Sequence, residues 1–96
     1  MMNLKIKLVT FYSKADENRL FEALQDISAI VDIKGVGRDL VMQLNMANLD
    51  NDMLRDLLAL FMRYGISMRS LRELSANVKF EWLNDTKAYW YQSMFD

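Results

Sequence analysis

The chain has no histidine, no cysteine and no proline among its 96 residues. Histidine is the usual general acid or base near neutral pH, and histidine and cysteine supply many transition-metal sites. Most common catalytic and metal centres therefore cannot be built here, and we expect no enzyme, no catalytic residue, no cofactor and no metal. Glycosidase-like or lysine-based chemistry stays open in principle. The enzymatic alternative, built on carboxylates and tyrosine, would need two acids that converge in one pocket.

The chain also lacks any long apolar segment. No stretch approaches the roughly 18 to 20 apolar residues that cross a bilayer. Its first residues alternate lysine with apolar residues, unlike the continuous apolar region of a signal peptide. The absence of cysteine suits a reducing compartment. We therefore expect a cytoplasmic protein that does not contact a membrane.

A basic excess is missing as well, since 12 basic residues face 13 acidic ones and the net charge is −1. Nucleic-acid binders draw much of their affinity from such an excess, so we expect no direct nucleic-acid ligand. The 52% hydrophobic content is enough for a core in a chain of this length. With no proline, repeat or linker, residues 1–96 form a single predicted domain.

The first half of the chain combines one helical pattern with three strand patterns. Residues 3–12 alternate as a strand, with Leu4 and Ile6 on one face, and residues 14–28 follow Ser13 with helical spacing. Residues 29–46 then fit a β-hairpin that turns at its two glycines. These patterns predict an α+β fold, in which a three-stranded, mostly antiparallel sheet has helices packed on one face.

The second half is predicted to be mainly helical. Asp50 is a good N-cap for a helix over residues 51–64, which Gly65 would end. A third helix through Leu71 and Leu74 follows. Residues 77–83 fit a strand or a helix, and we prefer a helix or an irregular turn. Asn84 and Asp85 then favour a final helix over residues 86–95, which completes a helical C-terminal third.

Two motifs are excluded by residues at fixed positions. The loop from Gly35 to Gly37 lacks the third glycine of a dinucleotide fingerprint, because position 40 is Leu40. An EF-hand loop starting at Asp50 would need glycine and glutamate where the chain has Arg55 and Phe61. Neither nucleotide nor calcium binding is therefore predicted.

Acidic residues cluster on two of the predicted helices. Glu22 and Asp26 lie one turn apart on the first, while Asp50, Asp52 and Asp56 lie at the start of the helix over residues 51–64. They are either solvated residues that cap and surround the helices, or acidic ridges that attract a basic protein surface. On the second interpretation all five are candidate contacts with a partner.

Aromatic residues are concentrated at the C-terminus. Six of the eleven aromatic residues fall within the last seventeen positions, namely Phe80, Trp82, Tyr89, Trp90, Tyr91 and Phe95. A short helix with so many rings cannot bury all of them against one core. Either Trp90 closes the core and the tyrosines rest at its rim, or Tyr89 and Tyr91 belong to a protein interface. Base stacking is a third alternative, which the near-neutral charge disfavours.

The segment WLNDTKAYWYQSMF, with the preceding RYGISMRSLREL, resembles the C-terminal region of small bacterial immunity proteins of contact-dependent growth inhibition systems. The resemblance covers residues 63–96. It implies a cytoplasmic protein that binds the C-terminal domain of a cognate toxin, commonly a nuclease, and blocks its active site or the approach of its substrate. The chain departs from many nuclease inhibitors in being nearly neutral. The alternative is a small regulatory or ligand-binding α+β module that forms a homodimer.

Overall fold

A computed structural model describes residues 2–7, 14–37 and 39–95 of the chain. Strand β1 (Met2–Lys7) is followed by helix α1 (Lys14–Gln25), strands β2 (Ile30–Val36) and β3 (Asp39–Leu44), and helix α2 (Asn51–Tyr64). Two 3₁₀ helices, Arg69–Ala76 and Val78–Asn84, lead to the short helix α3 (Tyr91–Phe95). This arrangement confirms the predicted α+β fold.

The three strands form an antiparallel sheet with the order β1-β3-β2. Leu4 lies opposite Met42 and Ile6 lies opposite Leu40, and all four side chains are buried on the inner face. Strand β2 carries an irregularity between Ile30 and Asp32. The rest of the first predicted strand, and the predicted cap at residue 13, lie outside the described residues.

Helix α2 has the predicted bounds because both of its ends are determined locally. The Asp50 side chain accepts a hydrogen bond from the Met53 amide at 2.8 Å, as an N-cap does. At the other end Gly65 has a φ of 67°, a left-handed conformation that glycine adopts without strain. The Ile66 amide then donates to the Phe61 carbonyl at 2.8 Å and closes the helix.

Helix α1 ends at Gln25, three residues before the predicted end. The Ile30 amide donates to the Ile27 carbonyl at 3.0 Å, and the Asn45 amide donates to the Ala29 carbonyl at 2.7 Å. Ala29 is fully buried. The chain therefore leaves the helix in a tight turn that leads directly into β2, whose first residue is Ile30.

The C-terminal third contains the predicted helical segments, but its last helix is shorter. Residues 77–83 belong mostly to the second 3₁₀ helix, as preferred. The predicted helix over residues 86–95 is wrong in its first half, because α3 begins only at Tyr91. The Asp85 carboxylate accepts from the Lys87 amide at 3.0 Å, which makes a turn. The Trp90 Nε1 donates to the Leu83 carbonyl at 2.9 Å and holds residues 85–90 in a bend.

The core lies between the inner face of the sheet and the helices. It is formed by side chains from every element, among them Leu20, Leu24, Leu57, Phe61 and Phe80. In the part of the chain that the structure describes, no polar or charged residue is buried. Its charged side chains therefore all reach the surface. None of the described helices is long and apolar enough to cross a membrane.

Candidate functional site

A groove of about 330 Å³ runs between the C-terminal end of α1 and the exposed side of α2. One wall comes from residues 23–28 and the other from residues 53–63. Its apolar lining includes Ile27, Met53 and Leu60, of which Ile27 is buried and the other two are half-buried. Packing of α1 against α2 brings these walls together.

Two of the predicted contact residues line this groove. Asp26 lies on the α1 wall and Asp56 on the α2 wall, and both are exposed. Neither carboxylate is paired with a described cation within 4 Å. These two acids lie thirty residues apart in the sequence. In the structure both line the same groove.

Two of the other three predicted acids lie one helical turn before the acids that line the groove. Glu22 precedes Asp26 and is exposed. Asp52 precedes Asp56 and forms an ion pair with Arg55 at 3.5 Å. Glu22 and Asp26 thus form no ion pair with a described cation, whereas Asp52 does.

The position of Glu22 and Asp26 is unfavourable for the fold. Both lie near the C-terminal end of α1, whose last turn has no basic residue, and a helix C-terminus repels negative charge by about 0.3 to 1 kcal/mol. The Asp26 amide still donates to the Glu22 carbonyl at 3.1 Å, so the pair retains helical spacing. Like charges at this spacing repel by a further 0.2 to 0.5 kcal/mol, roughly. Stability alone does not explain these acids.

Asp50 has a different place from the other predicted acids. Its carboxylate is engaged as the N-cap of α2 by the 2.8 Å bond to the Met53 amide. It does not line the groove. The structure thus gives Asp50 a structural role, and its contact with a partner stays a prediction.

A second surface feature, which we call the aromatic cluster, consists of Trp82, Tyr89 and Trp90. The ring centroids of Trp82 and Trp90 are 5.5 Å apart and those of Tyr89 and Trp90 are 5.1 Å apart, both edge to face. The Arg55 guanidinium carbon lies 5.0 Å from the Trp82 ring centroid, within the range of a cation–π contact. The Trp82 Nε1 donates to the Asn51 Oδ1 at 3.0 Å.

The two predicted tyrosines differ in exposure. Tyr89 is 54% exposed at the edge of the aromatic cluster. Tyr91 is half-buried, and its ring lies 4.8 Å from that of Phe95. About half of the Tyr89 surface can therefore contact a partner, whereas Tyr91 is held partly by the fold.

The groove and the aromatic cluster flank the same exposed face of α2. Asp56 lines the groove, while its neighbour Arg55 contacts Trp82. Successive residues on a helix are about 100° apart, so these two side chains point to opposite edges of that face. Sequence reasoning missed the link between Arg55 and Trp82, because no local spacing relates residues so far apart.

Asp26 and Asp56 line one groove, as the enzymatic alternative requires of two carboxylates, but no tyrosine is among the described residues that line it. No three acidic side chains among the described residues are arranged to hold a metal ion. What the surface offers is unpaired carboxylates, an apolar groove and exposed aromatic rings, the groups that protein interfaces use for steering and anchoring. Comparisons of this chain with protein-family models, curated proteins and solved structures gave no match.

Proposed function

We propose that this chain is a cytoplasmic immunity protein that binds a cognate toxin domain and blocks its active site or the approach of its substrate. The observation that carries the proposal is the convergence of Asp26 and Asp56 on one groove beside the aromatic cluster. The resemblance of residues 63–96 to such immunity proteins supports the same function.

The two features would contribute differently to binding. A nuclease presents basic residues to its substrate, and the unpaired acids of the groove would attract that surface and speed association. The exposed ring of Tyr89 would supply contact area that becomes buried in the complex. An inhibitor seated in this way would cover the site where the toxin receives nucleic acid.

The immunity function requires a toxin gene immediately upstream of the gene for this chain, and the test is protection of cells from that toxin. Expression of the toxin's C-terminal domain should stop growth, and co-expression of this chain should restore it. The two proteins should then co-purify in a one-to-one complex. Failure of the wild-type chain both to protect and to co-purify would reject the function.

Paired variants locate the binding surface. Asp26→Asn with Asp56→Asn should weaken the complex, by up to about thirtyfold, since each exposed charge contact contributes up to about 1 kcal/mol. Glu73→Gln with Glu81→Gln removes the same charge from exposed positions outside the groove and should leave affinity nearly unchanged. High salt should weaken the complex if charges dominate, and should have little effect if the aromatic cluster anchors it.

The free edge of β2 favours a second candidate function, a homodimeric regulatory module. No described strand pairs with the outer side of β2, where Val31 and Val36 are 47% and 57% exposed. Such an edge can pair with a second copy. Sedimentation of the isolated chain over a range of concentrations tests this alternative, and a monomer at every concentration would reject it.

A further inference from the structure

We propose that the groove between α1 and α2 is a socket for one arginine side chain presented by the protein partner. The identification of that partner as a toxin domain rests on the proposed function. The affinity of the groove for the side chain is a property of this chain alone and can be measured without a toxin.

The dimensions and lining of the groove suit a long side chain. Its volume of about 330 Å³ is at the lower end of the range for ligand pockets, roughly 300 to 1,000 Å³. Ile27, Met53 and Leu60 provide apolar surface, against which the methylene groups of an arginine or lysine can pack. The groove is therefore more than a pair of exposed acids, because it also accepts an apolar stem.

The arrangement of the carboxylates favours arginine over lysine. Asp26 and Asp56 belong to opposite walls. A guanidinium is planar and carries five N–H donors in a fixed fork, so it can donate to two separate carboxylates at once. A lysine ammonium is a compact and strongly hydrated charge, which loses more hydration when it enters an apolar groove.

The unfavourable position of the acids supplies an independent reason to expect a cation. Glu22 and Asp26 lie at the negative end of α1 with no basic residue in its last turn. A bound guanidinium would offset both the helix dipole and the repulsion between the acids. The proposed ligand would thus lower the electrostatic energy of two carboxylates that the fold itself places unfavourably.

The chain's own cation at the groove does not already fill this role. Arg63 lines the groove and is exposed, but it makes no ion pair with Asp26 or Asp56 within 4 Å. It would repel an incoming guanidinium. Arg63→Gln should therefore tighten arginine binding, by about twofold to fivefold for a screened surface charge.

The experiment is a titration of the isolated, isotope-labelled chain with N-acetyl-arginine amide, followed by the amide signals in NMR spectra. We expect saturable shifts at Ala23 and Ala59, which line the groove. The citrulline analogue has the same shape without the charge and should cause no such shifts. The lysine analogue should bind more weakly by about threefold or more, because its ammonium is more strongly hydrated and has no planar fork of donors.

Variants separate the groove from general charge attraction. Asp26→Asn with Asp56→Asn should weaken binding by about tenfold, since it removes both proposed acceptors. Glu73→Gln with Glu81→Gln serves as the matched control and should bind as the wild type does. All are near-isosteric surface changes, and unchanged signals away from the groove verify that each variant is folded.

The outcomes are distinct for this proposal and for the immunity function. Unsaturable shifts, equal shifts from the citrulline or lysine analogue, or full binding by the Asp26→Asn and Asp56→Asn variant would overturn the arginine socket. A chain that binds the arginine amide in the groove but does not protect against the toxin would keep the socket and reject the toxin as its partner.

Discussion

Replacing Asp26 with asparagine should stabilise this protein, although Asp26 is a surface residue without an ion pair among the described residues. The substitution removes a carboxylate from the negative end of α1, worth about 0.3 to 1 kcal/mol. It also removes the repulsion with Glu22, worth about 0.2 to 0.5 kcal/mol. The expected gain is about 1 kcal/mol, which for a chain of 96 residues raises Tm by roughly 4 to 8 °C.

Thermal and urea unfolding of the wild type and Asp26→Asn measure this gain. Glu17→Gln is the matched control on the same helix, because Glu17 lies in the first turn of α1 and pairs with Lys14 at 3.2 Å. Its removal should destabilise the fold by about 0.3 to 1 kcal/mol. Both effects should shrink in 1 M salt, where the Debye length is only about 3 Å.

A neutral or destabilising Asp26→Asn would refute the argument that the fold tolerates this acid for another purpose. So would a gain that persists undiminished in 1 M salt, because its cause would then not be charge. The same variant should lose affinity for arginine. Opposite changes in stability and binding are the signature of a residue retained for function.

Three further predictions concern the cap, the helix end and the tyrosines. Asp50→Ala should lower the free energy of unfolding by about 1 kcal/mol through loss of the N-cap, and an unchanged urea midpoint would contradict that role. Gly65→Ala should cost about 1 to 2 kcal/mol, because Gly65 has a φ of 67° while a Cβ there meets no atom within 4 Å, so the whole cost is backbone strain. Gly35→Ala, where the site is equally open but φ is not positive, should change stability by less than about 0.5 kcal/mol. Tyr89→Ala should lower partner affinity with little change in Tm, because Tyr89 is 54% exposed. Tyr91→Ala should lower Tm as well, since the Tyr91 ring lies 4.8 Å from that of Phe95. Equal losses of Tm would show that both tyrosines stabilise the fold.

The elements that could be predicted from the sequence are those with local determinants. Asp50 and Gly65 act within one turn of the helix they bound, so α2 was predicted with its observed ends. The sheet followed from the alternation of apolar residues, which needs only neighbours in sequence. Where an end depends on distant contacts the prediction was wrong, as at α1. There the Asn45 amide, just after β3, donates to the carbonyl of Ala29 in the turn that precedes β2.

The sequence predicted individual residues of the candidate site but not how they are arranged in space. Spacing identified Asp26 and Asp56 as members of two acidic pairs, but only the packing of α1 on α2 places them in one groove. Arg55 against Trp82 had no sequence signal at all. Helical periodicity assigns a residue to a face, and it does not say how two such faces are rotated against each other.

The groove has a net negative lining, two carboxylates and Arg63, although the chain as a whole is nearly neutral. Lys5 and Lys34 lie on the outer face of the sheet, each opposite Val41 of the central strand, while the helices cover the inner face. These lysines pair with acids on that same outer face, Lys5 with Asp39 at 3.3 Å and Lys34 with Asp32 at 3.7 Å. Their charges therefore do not neutralise Asp26 or Asp56. Salt screens charges beyond about 8 to 10 Å, so the attraction of a basic partner depends more on the charges near the surface it approaches than on the net charge of the chain. Near neutrality is thus no argument against an arginine-binding groove.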